Sequence, residues 1–231
     1  MIKLKNLQKS FNTTKAIDNL CLEVSSGKIY GLLGSNGAGK STTLNLILGF
    51  LQADSGTIEI FDTNEKLNNK RKNIGYIPEN VNLYPYLSGI ENLDYFCKIG
   101  GLNYSTEKLK TLLNDCGLNF EAHEKQTAEY SKGMRQKVGI AIALAKDSSI
   151  YLLDEPASGL DPLASSELSE TLKKLAGRGA TILMASHDIF RLRETCDTIG
   201  ILKKGKLIKE IKPKHVTSNQ IEEIYIKFMK D

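Results

Sequence analysis

Gly34-Ser35-Asn36-Gly37-Ala38-Gly39-Lys40-Ser41 carries more chemistry than any other segment of this 231-residue sequence. It fits G-x-x-x-x-G-K-[ST]. Glycines let a backbone wrap closely and turn its N–H groups inward. Those donors, with the positive end of the helix expected next, form an anion cradle. Lys40 would bring a point charge to the β- and γ-phosphates of a nucleotide. The Ser41 hydroxyl is short enough to ligate Mg²⁺. Ser35, Asn36, Gly37, Ala38, Gly39 and Thr42 complete the phosphate-binding stretch.

A second site segment is Ile150-Tyr151-Leu152-Leu153-Asp154-Glu155, an apolar strand that ends in two carboxylates. Ligands sit at the carboxyl ends of parallel strands. Asp154 can hold Mg²⁺ through water, and Glu155 can polarise an attacking water as general base. Together the two segments establish a P-loop NTPase without saying which kind.

These residues need a frame to position them. Lys28 to Leu33 is a short apolar run before the glycine-rich loop, and TTLNLILGF after it has a helical pattern. Strand, loop and helix make an α/β unit with a parallel sheet in prospect. Ile2 to Lys5 and Ala16 to Val24 alternate as strands and give an antiparallel N-terminal β region, with a turn at Ser25-Ser26-Gly27. Leu87 to Leu113 and Ser131 to Ala145 carry helical periodicity, and Ser88 with Glu91 has the form of a capping box. Residues from about 83 to 145 therefore read as a helical subdomain inserted in the α/β core. Ser149 to Leu153 and Ala180 to Ala185 suit buried parallel strands, with a helix from Asp161 to Leu175 between them. Thr198 to Leu202 and Lys206 to Ile211 flank Lys204-Gly205 as a hairpin. Ile221, Ile224, Tyr225 and Phe228 at helical spacing suggest a last helix packed on its own domain. The expected division is a P-loop NTPase domain over 1–212 and a helical tail over 213–231.

Tyr130-Ser131-Lys132-Gly133-Met134 precedes a helix, about 20 residues before the Asp154-Glu155 pair. Here the sequence resembles the ATP-binding cassette transporter family, whose signature is commonly LSGGQ. It departs from that signature at the first, third and fifth positions and keeps Ser131 and Gly133. Variants of this kind are similar to those of exporter-type members. The resemblance spans about residues 2 to 212 and implies several further roles. Phe11 stands where the family places an aromatic that stacks on adenine. Ser131 and Gly133 would contact phosphate. Ser158-Gly159-Leu160-Asp161 matches a dimer-contact loop, with Asp161 near nucleotide. His187 would contact the γ-phosphate. Glu79, after Ile74-Gly75-Tyr76-Ile77-Pro78, stands where the family most often has Gln as a Mg²⁺ ligand, and brings a charge into an acidic site.

The same resemblance implies ATP and Mg²⁺ as cofactors and a head-to-tail pair of cassettes, homodimer or heterodimer. In such a pair each signature serine caps the other subunit's nucleotide. It implies a separate transmembrane permease subunit that ATP-driven closure would power. Asn80 to Asn92 is the candidate contact surface, because Leu83, Tyr84, Tyr86 and Leu87 put apolar bulk just after Glu79. The alternative is a soluble cassette ATPase acting on ribosomes or nucleic acid. Such proteins usually carry two cassettes or long coiled-coil insertions, and neither is present.

Bulk properties agree with a peripheral subunit. The chain is 41% hydrophobic and 25% charged, enough for a real core and ordinary for a globular protein. Net charge is +4, a mild and poorly segregated excess that argues only weakly for an anionic partner, and no nucleic acid is expected. Lys203, Lys204, Lys206, Lys209, Lys212 and Lys214 read as a solvated hairpin face. Cys21, Cys97, Cys116 and Cys196 have neither metal-ligand spacing nor a disulfide pattern, which suits a reducing compartment. No run of about 18 apolar residues occurs, so no segment is expected to span a bilayer. The expected location is the cytoplasmic face of the cell membrane.

Overall fold

A computed structural model describes residues 1–60 and 73–230 of the chain. Its nine described strands form two sheets. A three-stranded antiparallel sheet has the order β2-β1-β4, with β1 (Ile2–Phe11), β2 (Thr14–Val24) and β4 (Ser55–Ile60). A six-stranded sheet has the order β5-β6-β7-β3-β8-β9. Its members are β3 (Ile29–Leu33), β5 (Ile74–Ile77), β6 (Ile150–Asp154), β7 (Thr181–Ser186), β8 (Thr198–Lys203) and β9 (Lys206–Ile211). All neighbours in it run parallel except β8 and β9, which make an antiparallel hairpin. The sheet is therefore mixed at one edge. The α/β P-loop architecture is as expected, with β4 as an additional strand of the N-terminal sheet.

Strand periodicity sorts the core into two layers. Tyr30, Leu32, Leu152, Leu183 and Ala185 point to one face and meet Leu44, Leu46 and Ile47 of helix α1 (Lys40–Leu48), together with the apolar side of β1 and β2. Leu33, Tyr151, Leu153, Ile182 and Met184 point to the other face. There they meet Leu168 and Leu172 of α5 (Pro162–Gly177), Leu192 of α6 (Ile189–Thr195) and Ile221 of α7 (Ser218–Lys230). Ile224, Tyr225 and Phe228 pack on the same cluster, so the last helix belongs to this core.

A third cluster is built from helices alone. It joins Leu93 and Cys97 of α2 (Gly89–Ile99), Leu109 and Leu113 of α3 (Thr106–Asp115), and Val138 and Ala141 of α4 (Lys132–Ala145). The long helical pattern after Leu87 breaks at Gly100-Gly101, where Gly101 has φ 79°. Ser88 and Glu91 close a capping box on α2, worth about 1 kcal/mol for the serine cap. Tyr130 enters this cluster from the start of the signature and donates its hydroxyl to the Ala122 carbonyl. The hydroxyl lies where a Cβ at residue 89 would stand, so any larger residue there must displace the tyrosine.

Candidate active site

Four parallel strands end along one edge of the large sheet, and their register assembles the site. Leu33 pairs with Ser186, Asp154 with Ala185, and Ile77 with Leu153. Gly34, His187 and Glu155 directly follow their strands, Glu79 comes one residue later after Pro78, and all leave on the same side. A cavity of about 260 Å³ opens there. It is lined by Ser35, Asn36, Gly37, Gly39, Lys40, Ser41, Thr42, Glu79, Asp154, Glu155 and His187, with Ala16 added from β2.

The loop is shaped by close backbone approach. Gly39 has φ 108°, and a Cβ there would meet the Ala16 carbonyl oxygen at 2.6 Å. Glycine is therefore required on steric grounds. Gly39 is also the N-cap of α1 and offers no side chain to it. Ser88, Ser105, Ser131, Asp161 and Asp188 cap α2 to α6 with their side chains. The first-turn N–H groups of α1 are thus left to the cavity, where they suit a phosphate. Lys40, almost fully buried, donates to the carbonyls of Gly34 at 2.7 Å and Ser35 at 3.3 Å. Its Nζ lies 3.6 Å from Glu155 Oε1.

Glu155 is held from several directions. Its Oε2 accepts from Ser186 Oγ at 2.9 Å and from the His187 N–H at 3.4 Å. Its Oε1 lies 2.9 Å from His187 Nδ1. The backbone adopts φ 45°, a left-handed conformation that costs a non-glycine residue about 1–3 kcal/mol. Two hydrogen bonds of 2.9 Å hold that turn, from Glu155 N–H to the Ala185 carbonyl and from Ser158 N–H to the Glu155 carbonyl. The carboxylate is thus buried and aimed at the phosphate loop, while the imidazole of His187 is 68% exposed at the cavity mouth.

Asp154 beside it is electrostatically unsatisfied. Burial raises its carboxyl above the ordinary range, and Glu155 and Glu79 add repulsion, against the Ser41 hydroxyl bond and Lys40. Its Oδ1 is buried with no hydrogen-bond partner. A hard divalent cation fits this need. Among the described residues no three His, Cys, Asp or Glu side chains form a metal cage by themselves. Ser41, Asp154 and Glu79 would share the ion with phosphate oxygens and water, the usual manner for Mg²⁺.

Not every expected residue meets here. Ala38 is buried in the loop and bonds Ser35 rather than lining the cavity. Phe11 ends β1 at 45% exposure, outside the lining, with Lys9 Nζ 5.7 Å from its ring centroid. Ser131 caps α4 through Met134 N–H, and Asp161 caps α5 through Ala164 N–H. That bond holds the Asp161 carboxyl below its usual range. Ser131, Gly133 and Asp161 all stand apart from their own chain's cavity. Ser186 and Ala16 were not among the expected site residues. Ser186 immediately precedes His187 at a strand end, which is the signal that could have found it.

A family profile described as ABC transporter matches residues 17–158. The lantibiotic transport ATP-binding protein SrtF of Streptococcus pyogenes is 35% identical over 225 residues, covering 97% of this chain and 96% of its own. The bacitracin transport ATP-binding protein BcrA of Enterococcus faecalis is 36% identical over 214 residues, covering 91% and 69%. A dimeric ATP-binding cassette solved in a post-hydrolysis state with ADP and Pi superposes with a TM-score of 0.83 at 28% identity, covering 92% of this chain and 99% of that one.

Proposed function

The chain belongs to the ABC transporter family as an ATP-binding cassette with ATPase activity, and from that premise we propose that it powers a separate membrane-spanning exporter subunit. The observation that carries the assignment of roles is the convergence of Lys40, Asp154, Glu155 and His187 on one cavity. Lys40 and the α1 N-terminus would bind the β- and γ-phosphates. Glu155 would accept the proton of the attacking water, and His187 would hold the γ-phosphate from the exposed side. A Mg²⁺ ion at Ser41, Asp154 and Glu79 would neutralise phosphate charge.

Two such chains, or this chain with a similar one, would close head to tail, with Ser131, Gly133 and Asp161 facing the partner's nucleotide and Phe11 stacking on adenine. Residues 1–212 would act as the ATPase domain, with 83–145 as its mobile helical part and 213–231 as a packed helical tail. Among the described residues no helix is long and apolar enough to cross a membrane. The proposed position is peripheral, on the cytoplasmic face.

The segment after Glu79 suits contact with the membrane subunit. Tyr86 is 83% exposed and Tyr84 48%. Tyr84 stacks edge-on against Tyr95, with ring centroids 4.9 Å apart. Fully buried Asn92 accepts from Tyr84 N–H at 2.8 Å and donates to the Tyr84 carbonyl at 3.1 Å and the Leu87 carbonyl at 3.2 Å. The aromatic surface is therefore fixed to α2. Purification of the tagged chain from membranes is expected to bring down an integral protein with several apolar spans. Co-purification of ribosomes or nucleic acid in its place would overturn the proposal.

Glu79 should couple the cavity to that surface. Either Gln or Glu presents an oxygen to a hard cation at similar reach. Glu79→Gln is expected to keep much of the ATPase activity. Glu79→Ala is expected to lose stimulation by the reconstituted membrane subunit more than it loses ATP affinity. Wild-type stimulation in Glu79→Ala would reduce the residue to a surface carboxylate.

A further inference from the structure

The signature turn and the loop after Glu155 touch in three places. Lys132 Nζ donates to Ser158 Oγ at 2.7 Å. The stem of Lys132 lies over Gly159, so closely that a Cβ at Gly159 would stand 3.0 Å from its Cγ and Cδ. Gly133 admits the Gly159 carbonyl, which a Cβ at 133 would meet at 2.6 Å. Deeper in, Gln136 Nε2 donates to the Pro156 carbonyl at 3.1 Å. One side of this contact is tied to Glu155 through the Ser158 N–H. The other side carries Ser131, which lies outside the chain's own cavity.

We propose that Lys132 is a positioning residue that locks the signature turn to the Ser158–Asp161 loop, so that the two hydrolytic sites of a dimer respond together. The inference rests on the trans role given to Ser131 above. Movement of Glu155 as its own site gains or loses the γ-phosphate pulls on Ser158. Through Lys132 that movement reaches the serine serving the opposite site. Without the lysine, of these contacts the Gly133–Gly159 packing and the Gln136 bond remain, and those act below the turn. Lys132 itself is exposed and lines no part of the cavity, so its loss leaves the phosphate cradle intact.

The test is a double-mutant cycle on the full chain, read as kcat, KM, equilibrium ATP binding and the Hill coefficient for ATP. Lys132→Ala and Ser158→Ala are each expected to lower kcat about three- to tenfold, the range of one hydrogen bond whose positioning effect is felt in the transition state. ATP binding should stay within about twofold, and the Hill coefficient should fall toward one. The double variant should be no worse than either single variant. Lys132→Arg keeps a donor and is expected to recover both cooperativity and rate. Additive losses, or an unchanged Hill coefficient in Lys132→Ala, would overturn the proposal. The Ser131 mixing experiment described below judges the trans arrangement separately. Recovery on mixing with additive losses in the cycle removes Lys132 alone. No recovery on mixing removes the arrangement on which it rests.

Discussion

Glu155→Gln is expected to keep ATP bound while turnover falls about 10²–10⁴-fold, the usual cost of losing a general base. The geometry makes this a clean substitution. The amide oxygen can still accept from Ser186 Oγ and from the His187 N–H, and the amide N–H₂ can donate to His187 Nδ1. The turn at φ 45° is held by backbone bonds that the substitution does not touch. The substitution removes the capacity to take a proton and the negative charge that faces Lys40 Nζ at 3.6 Å. With hydrolysis blocked and ATP retained, a closed pair of cassettes should accumulate, visible by size exclusion with ATP and Mg²⁺. Steady-state activity within about threefold of wild type would show that the base lies elsewhere.

The second large effect separates the two halves of the site. Ser131→Arg and Lys40→Ala are each expected to be inactive alone, with losses on the order of 10²-fold or more for an oriented phosphate contact. The two lesions lie in different regions, because Lys40 lines the cavity and Ser131 does not. In a homodimer of this chain, mixing places one intact cradle opposite one intact signature. Random exchange makes half the pairs mixed, each with one intact site of two, so recovery should reach at most about a quarter of wild-type ATPase activity, and less where the two sites respond together. No recovery, with subunit exchange verified by differently tagged chains, would refute capping in trans. Ser131→Arg does remove a helix cap, at about 1 kcal/mol, so a melting curve belongs beside the activity.

Much of the site was legible because its chemistry is local. The glycine loop, the Asp154-Glu155 pair and His187 each lie at a strand end, and an apolar run announces each strand. Register then brings them together without further information from the sequence. What escaped depends on contacts distant in sequence. β4 begins Ser55-Gly56, a poor strand signal, and exists by pairing with β1. β1 runs to Phe11, beyond the expected Lys5, because Asn6 at φ 47° and successive register shifts interrupt its alternation. α6 has only seven residues, too few to show a period. Asn92 sits on the buried side of a helix with an otherwise ordinary pattern. Nothing in its neighbours foretells that it fastens the Tyr84 loop.

The fit of the Tyr130 hydroxyl into the space that Gly89 leaves free also constrains the order in which this chain can change. The tyrosine begins the signature and the glycine opens α2, so two distant positions share one volume. A smaller residue at 130 would vacate that volume, and position 89 could then drift to alanine or serine at little cost. Once it had, a return to tyrosine would meet a side chain in its place, with an overpacking cost of about 1–3 kcal/mol. The pair behaves as a ratchet in mutational history, permissive in one direction and closed in the other. Another cassette's signature grafted onto this scaffold would therefore meet no clash at position 89, whereas Tyr130 grafted onto a scaffold that lacks glycine there should fail until that position is changed first.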